Sequence, residues 1–209
     1  MNSESIEREI REAGLKELSL GVIAQFQTYL ELLLKWNAKL NLTSVREPGA
    51  IICRHFFECI QCAQALPVPT HAAPTLLDFG SGAGLPGIPI AICRPEIHVT
   101  LGESQRKKSS FLREAVRSLR LNAEVFDGRI EEMPPERRFS IVTVRAVDKM
   151  TEACQSAIAR MAPQAWLTVF VTKATRSGIE AVLPEIEWRQ TVPSLNLDKS
   201  EILIGQRRP

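Results

Sequence analysis

The stretch Leu76-Leu77-Asp78-Phe79-Gly80-Ser81-Gly82-Ala83-Gly84-Leu85-Pro86-Gly87 decides the fold of this chain. Residues 75–79 predict a short buried strand, and four glycines follow within eight residues. Pro86 predicts the first turn of a helix, because the N–H that proline lacks would have no intrahelical partner there. A strand, a glycine-rich turn and a helix N-terminus together form a cradle for a nucleotide-like cofactor.

Three classes of site use such a turn. A P-loop requires Lys-Ser/Thr after its last glycine, but Ile88-Pro89 follows here, which excludes that class. The dinucleotide pattern GxGxxG fits residues 82–87. The frame Asp78-x-Gly80-x-Gly82-x-Gly84 resembles motif I of the S-adenosylmethionine-dependent methyltransferases, with an acidic residue at the strand end. The turn alone leaves these two classes open.

Length and composition bound the remaining possibilities. The chain has 209 residues, which suits one α/β domain with an appendage. Charged residues make up 24%, and the net charge of +2 does not indicate a polyanion binder by overall charge. No apolar run approaches the roughly 18 residues of a membrane span, and the acidic start 1–7 is unlike a signal peptide. We therefore expect a cytoplasmic protein with no membrane association.

Five cysteines, an odd number, indicate reduced thiols. Cys53, His55, Cys59 and Cys62 cluster in sequence, and a metal site is the alternative to ordinary packing in a helix. Cys59-Ile60-Gln61-Cys62 is a CxxC, but the sequence has no second CxxC to complete a tetrahedral site, so we predict packing and no metal.

Helical spacing dominates the chain before the cradle, so residues 1–66 are predicted to form an N-terminal helical extension. The expected helices are 3–13, one that follows a Ser19 cap and runs to about Leu40, and one over 48–66. A linker at 67–74 joins the extension to the sheet in one structural unit. Its aromatic residues, including Trp36, are expected to pack onto the sheet.

Strand and helix patterns alternate after the cradle. We predict strands at 97–101, 123–126, 139–144, 166–172, 186–192 and 200–205, with helices at 104–120, 147–161 and 175–183. This order predicts a Rossmann-like α/β domain over 75–209, with a mostly parallel seven-stranded sheet and helices on both faces. The last two strands suggest an antiparallel edge hairpin, which is more typical of methyltransferases than of dinucleotide-binding sheets.

Three features after the cradle concern ligands. Glu103 ends the second strand and is expected to accept hydrogen bonds from ribose hydroxyls, the alternative being a cap for helix 104–120. The loop 127–132 lies where adenine is commonly held, the alternative being an ordinary turn. Helix 104–120 carries six basic residues and Glu114, which indicates a phosphate-binding surface or a solvated charged face. The six are Arg106, Lys107, Lys108, Arg113, Arg117 and Arg120.

A set of ordered segments resembles one family. The segments are Trp36-Asn37-x-x-x-Asn41-Leu42-Thr43-Ser44, Arg54-His55, the cradle, Glu103-Ser104 with Lys107-Lys108 and Phe111-Leu112, Arg129-x-Glu131-Glu132, and Arg145-Ala146. They are similar to the bacterial small-subunit ribosomal RNA methyltransferase G family, also called glucose-inhibited division protein B. The resemblance covers nearly the whole chain. The chain departs from the family pattern at two places. It has Glu58-Cys59 where the family usually has Asp-Ser, and Lys173-Ala174 where the family usually has Lys-Gly. Both departures fall on the expected substrate side.

The resemblance implies methylation of guanine N7 in the decoding-region loop of 16S rRNA, with S-adenosylmethionine as cofactor. It implies cofactor contacts at Gly80, Leu85, Ile130, Glu131 and Arg145. Together with the residues found above, the predicted cofactor-binding set is Asp78, Gly80, Gly82, Gly84, Leu85, Glu103, Ile130, Glu131 and Arg145. The expected partner is 16S rRNA or the small ribosomal subunit, and the chain is expected to be a monomer.

Guanine N7 has a lone pair and no proton, so its methylation needs no general base and rests on alignment for in-line displacement. Arg145 follows the fourth strand and is the predicted catalytic residue; a salt bridge to Asp78 or Glu131 is compatible with that role. Arg54, His55, Lys107 and Lys173 are the predicted RNA contacts. An NAD-dependent oxidoreductase and an RNA-binding factor with a degenerate cradle are the competing hypotheses.

Overall fold

One seven-stranded sheet organises the computed structural model, which describes residues 3–67, 73–195 and 200–209. The strand order is β3-β2-β1-β4-β5-β7-β6. The first five of these are parallel, and β7 runs antiparallel to both β5 and the edge strand β6. The strands are β1 (Thr75–Phe79), β2 (His98–Glu103), β3 (Ala123–Asp127), β4 (Phe139–Val144), β5 (Met161–Thr172), β6 (Ile186–Pro193) and β7 (Ser200–Arg207).

Helices cover both faces of this sheet. They are α1 (Ser3–Glu12), α2 (Leu20–Leu40), α3 (Pro48–Ile51), α4 (Phe57–Ala65), α5 (Gly87–Cys93), α6 (Arg106–Leu119), α7 (Met150–Ile158) and α8 (Lys173–Val182). Adjacent β1 residues enter different cores: Leu76 packs with α2, α4, α5 and α6, and Leu77 packs with α7 and α8. Helices on both faces explain why the central parallel strands β1 and β4 are buried along nearly their whole length. The predicted Rossmann-like fold, parallel sheet and antiparallel edge hairpin are confirmed.

The helical extension packs mainly against other helices. Ser19 caps α2 as expected, with Val22 N donating to its Oγ. The indole of Trp36 lies 6.0 Å from the Phe111 ring of α6 and donates to Glu114. The expectation that Trp36 packs onto the sheet is therefore wrong, because α6 lies between α2 and the strands. The apolar cluster around α1 and α2 continues into Leu76, so the division at 66/75 stays a prediction.

Several element boundaries differ from the sequence-based prediction. The helix expected over 48–66 contains a π-helical segment, Ile52–Phe56, between α3 and α4. α7 is shorter than the predicted 147–161, and β5 starts five residues before the predicted 166. α8 begins at Lys173 because Thr172 caps it through Thr175 N. Most of the 67–74 linker and the turn after Leu195 lie outside the described residues.

Candidate functional site

The glycine-rich loop lies at the carboxyl end of β1, between the ends of β2 and β4. Gly80, Gly82 and Gly84 have φ of 73°, 55° and 85°, a region that side chains other than glycine seldom adopt. A Cβ on Gly84 would collide with Ile88 and lie 3.2 Å from Leu112. The glycines therefore let the loop turn tightly and sit directly on α5 and α6.

Asp78, near the end of β1, holds this loop through buried hydrogen bonds. Its side chain accepts hydrogen bonds from Thr143 Oγ1 at 2.9 Å and from Gly87 N at 3.2 Å, and it is 1% exposed. Burial raises the pKa of Asp78 to about 6, against the opposing effect of these hydrogen bonds. The carboxylate thus holds the start of α5 and faces protein groups; its direct role toward a cofactor stays a prediction.

A polar cavity of about 560 Å³ opens above the loop, and we call it the loop cavity. It brings together six predicted site residues: Gly80, Gly82, Leu85, Glu103, Arg145 and His55. The other lining residues are 42–44, Ser81, Ala83, Ser104, Gln105, Lys108 and 146–148. The predicted residues that do not line it are Asp78, Gly84, Ile130, Glu131, Arg54, Lys107 and Lys173.

Glu103 lies at the wall of the loop cavity formed by the end of β2. Its Oε2 accepts from Gly82 N at 2.9 Å, and its Oε1 accepts from Gln105 N at 2.8 Å. Glu103 thus holds the glycine-rich loop and the backbone at the start of α6 while lining the cavity, and its role toward a ribose stays a prediction. Each oxygen accepts one of these bonds and keeps a lone pair for a ligand hydroxyl.

Arg145 lies at the opposite wall, immediately after β4. Its Nη2 donates to Glu58 Oε2 at 2.9 Å and to His55 Nδ1 at 3.2 Å, and its guanidinium lies 5.5 Å from the centre of the Phe170 ring. Its ion-pair partner is thus Glu58, rather than the Asp78 or Glu131 considered from the sequence. Both side chains are largely buried, with 13% and 6% of their surface exposed.

Glu58 is one of the two departures from the family pattern, and it connects distant parts of the chain. Its Oε1 accepts from Ser200 Oγ at 2.8 Å, in β7, and its Oε2 pairs with Arg145. The π-helical segment places His55 and Glu58 on the same side of the helix, facing Arg145. π-Helical turns occur frequently at functional sites.

The extension contributes three residues to the site, Tyr29, Asn37 and Thr43, whose contacts sequence reasoning missed. Tyr29 Oη donates to the carbonyl of Ala83 in the glycine-rich loop at 2.7 Å. Thr43 Oγ1 lies 3.0 Å from His55 Nε2. Asn37 holds the 41–45 segment, accepting from Thr43 N and donating to Val45 O. Asn37 and Thr43 lie in the segments that resemble the family, which was the available signal.

A second cavity of about 560 Å³ lies on the other side of Arg145. Its walls are mainly apolar, so we call it the apolar cavity. It shares Arg145 and Ala146 with the loop cavity, and its other lining residues are Glu58, Met150, Thr151, 170–172, Ala174, Thr175, Gly178, Ile179 and Ser200. Sequence reasoning missed this cavity. Lys173 is exposed at its rim, between two lining residues.

The basic surface of α6 is exposed beside the loop cavity. Lys107 and Arg117 are exposed, Lys108 lines the cavity, and Arg113 pairs with Asp127 at 2.6 Å. Arg54 is exposed on the π-helical segment and does not line either cavity.

The cysteines near His55 are mostly buried. Cys59 and Cys62 are fully buried in α4, and burial raises the pKa of both thiols well above the usual range. Both ring nitrogens of His55 have protein partners. Within 3–67, 73–195 and 200–209, no group of three or more His, Cys, Asp or Glu side chains has a metal-binding arrangement.

In the same ranges no helix is long and apolar enough to cross a membrane.

Comparison with known sequences identifies one family. The family model described as rRNA small subunit methyltransferase G matches residues 22–196. The "Ribosomal RNA small subunit methyltransferase G" of Laribacter hongkongensis is 41% identical over 150 residues, which cover 69% of this chain and 70% of the relative. The protein of the same name from Xanthomonas oryzae pv. oryzae is 43% identical over 142 residues, covering 66% and 65%.

Solved structures share the fold at low identity. A SAM-dependent methyltransferase from Aquifex aeolicus matches with a TM-score of 0.62 and 15% identity, over 80% of this chain and 97% of that one. The tRNA (m1A58) methyltransferase of Aquifex aeolicus matches with a TM-score of 0.59 and 13% identity, over 72% and 68%.

Proposed function

We propose that this chain, which belongs to the rRNA small subunit methyltransferase G family, methylates guanine N7 in the decoding-region loop of 16S rRNA with S-adenosylmethionine. The family supports methyl transfer to small-subunit rRNA from this donor. The choice of guanine N7 and of the decoding-region loop rests on the family resemblance of the sequence segments. The junction of two cavities at Arg145 is the observation that carries the proposal, because methyl transfer needs a donor site and an acceptor site in contact.

The loop cavity has the groups that the methyl donor requires. Its volume is within the range of small-molecule sites. The glycine-rich loop presents backbone to the cavity, and Glu103 keeps acceptor sites for a ribose diol. When bound, the donor supplies an electrophilic methyl group on a sulfonium. We propose that Gly80, Gly82, Leu85 and Glu103 bind it here.

The apolar cavity suits the target base. Phe170 and Met150 offer surfaces against which an unpaired base can pack, and a single-stranded loop nucleotide can enter without opening a duplex. Since N7 carries no proton, the chain need only orient the base and exclude water. Arg145 borders both cavities, and we propose that it positions the base relative to the donor.

The surrounding surface suits RNA. We propose that Lys107 and its basic neighbours on α6, together with Arg54 and Lys173, contact phosphates beside the cavities. His55 is expected to act from within, through its contacts to Arg145 and Thr43. We further propose a cytoplasmic monomer in which the extension and residues 75–209 fold as one unit.

The test uses ribosomal RNA and small subunits that lack the modification. These are incubated with the purified chain and S-adenosylmethionine, and the RNA is then cleaved chemically at 7-methylguanosine. One new cleavage in the decoding-region loop is expected, and S-adenosylhomocysteine in place of the donor is the control. Donor binding in calorimetry without new cleavage would show that the assigned substrate is wrong. Binding of NADH instead of the donor would support the oxidoreductase hypothesis.

A further inference from the structure

The hydrogen bonds around His55 fix which of its nitrogens carries the proton. Arg145 Nη2 lies 3.2 Å from His55 Nδ1, and a guanidinium nitrogen can only donate. Nδ1 must therefore accept, so the neutral ring carries its proton on Nε2. Burial and the nearby charge of Arg145 lower the pKa of His55 to about 4, which keeps the ring neutral at physiological pH.

The proton on His55 Nε2 determines the hydrogen bonding of Thr43. Nε2 donates to Thr43 Oγ1 at 3.0 Å, and Val45 N donates to the same oxygen at 3.2 Å. A hydroxyl oxygen has two lone pairs, so both are used. The hydroxyl hydrogen of Thr43 must point elsewhere, and it has no acceptor within the described parts of the chain. Thr43 is thus a hydrogen-bond donor without a protein partner, at the edge of the loop cavity.

The position of Thr43 shows which part of a ligand it meets. Asn37 holds the backbone around it through Thr43 N at 2.9 Å and Val45 O at 3.4 Å, so the side chain is fixed relative to the cavity. It lies with His55 and Arg145 at the β4 side, whereas Glu103 is at the end of β2, across β1. The adenine and methionine parts of S-adenosylmethionine leave the ribose in different directions. With the ribose at Glu103, as proposed above, the part of the cavity across β1 that holds Thr43, His55 and Arg145 is left for the methionine part.

The methionine part offers one partner for a donor hydroxyl. Its ammonium group only donates, its sulfonium is cationic, and its carboxylate only accepts. We propose that Thr43 donates a hydrogen bond to the carboxylate of S-adenosylmethionine, and that His55 is the positioning residue that directs this hydroxyl into the cavity. The inference rests on the proposed function for the identity of the methyl donor.

The test compares two ligands on two variants by calorimetry. Thr43→Val keeps the shape and removes the hydroxyl, and Thr43→Ser keeps the hydroxyl. Thr43→Val is expected to weaken S-adenosylmethionine about tenfold, the loss of one hydrogen bond to a charged group, and to leave its decarboxylated analogue unchanged. Thr43→Ser is expected to bind both ligands within about twofold of the wild type.

The analogue separates recognition from structural damage. Thr43→Val leaves His55 Nε2–H and Val45 N–H without their acceptor, and any resulting disorder would weaken both ligands equally; that outcome overturns the proposal. Unchanged affinity for both ligands, with or without slower methyl transfer, also overturns it. Failure of the wild type to bind S-adenosylmethionine at all would instead overturn the proposed function, so the two failures are distinguishable.

A second pair of variants tests the role of His55. The amide of Gln can accept from Arg145 and donate to Thr43, as the neutral ring does, whereas Leu can do neither. The ratio of affinities for S-adenosylmethionine and the analogue is expected to be retained in His55→Gln and reduced in His55→Leu. An equal ratio in both variants would remove His55 from the proposal.

Discussion

The two cavities that meet at Arg145 have the same volume, about 560 Å³, but different walls. The loop cavity is formed by backbone, carboxylate and hydroxyl groups around the glycine-rich loop. The apolar cavity is formed by side chains such as Met150, Phe170 and Ile179, and apart from Glu58 its lining residues come from the second half of the chain. Backbone geometry therefore defines one site and side-chain packing defines the other, so substitutions should separate donor binding from RNA methylation.

The largest effect is expected at the residue that both cavities share. Arg145→Met leaves Glu58 as a buried carboxylate without its cation. We expect a loss of about 3–5 kcal/mol in the free energy of unfolding, and a fall of about 100-fold in kcat/KM as the base is misplaced. The double variant Glu58→Gln with Arg145→Met is expected to recover most of the stability and none of the activity. Recovery of both would mean that Arg145 has only a structural role.

Asp78 and His55, which both feel the charge of Arg145, should give stability opposite dependences on pH. The pKa of Asp78 is raised from 3.8 to about 6, so its contribution is present below pH 3.8 and is lost as the pH rises through 6. The pKa of His55 is lowered from 6.5 to about 4, so its contribution is present above pH 6.5 and is lost as the pH falls through 4.

Between pH 4 and 6 these contributions oppose each other. As the pH rises from 4 to 6, the free energy of unfolding of Asp78→Asn is expected to rise by about 3 kcal/mol relative to that of the wild type. The free energy of unfolding of His55→Gln is expected to fall by about the same amount relative to the wild type. Urea denaturation at several pH values measures both. If the curves of unfolding free energy against pH ran parallel to that of the wild type for both variants, the shifted pKa values of Asp78 and His55 would be wrong.

Glu103→Ala tests the wall of the loop cavity. Loss of charge-assisted hydrogen bonds to the ribose is expected to weaken donor binding in calorimetry about 10- to 100-fold and to leave RNA affinity unchanged. Glu124→Ala is the matched control, since this carboxylate on the neighbouring strand contacts Thr100 and Arg137 and does not line either cavity. Equal effects of the two substitutions would contradict a specific role of Glu103.

Phe170→Leu tests the apolar cavity. Removing one surface for base stacking is expected to lower kcat/KM for RNA about tenfold, with donor affinity unchanged. The matched control is Phe139→Leu, a buried phenylalanine that also has an arginine, Arg137, over its ring at 5.6 Å but lies at the start of β4. If Phe170→Leu weakened the donor instead, the division between the cavities would be wrong.

The smallest effect is expected on the outer surface. Lys107→Gln removes one exposed charge from α6 and is expected to weaken RNA binding a few-fold, with the slope of log affinity against log salt about 0.7 to 0.9 smaller. Arg189→Gln, on the opposite edge strand β6, is the control and should leave the slope unchanged. If Lys107→Gln and Arg189→Gln had identical slopes of log affinity against log salt, the RNA would not bind at the basic surface of α6.

The same contrast explains what the sequence could reveal. The loop cavity depends on a local motif, and Glu103 follows from its position at a strand end, so both were predicted. Glu58 and Arg145 are 87 residues apart, and Ser200 is 142 residues from Glu58. No local pattern encodes such pairings, so the apolar cavity was missed and the wrong partners were considered for Arg145. The π-helical segment was missed because its residues have ordinary helical spacing.

The hydrogen bond from Tyr29 to Ala83 has an energetic consequence for the extension. A ligand that binds above the glycine-rich loop binds only when the loop is formed, and α2 holds that loop from the other side. A free ligand concentration of about 100 times the dissociation constant stabilises the native state by about 2.7 kcal/mol. Because α2 contacts the loop, this stabilisation extends to α2. Amide exchange and proteolytic cleavage in the first 66 residues should therefore slow when the donor binds, although most of those residues do not touch it.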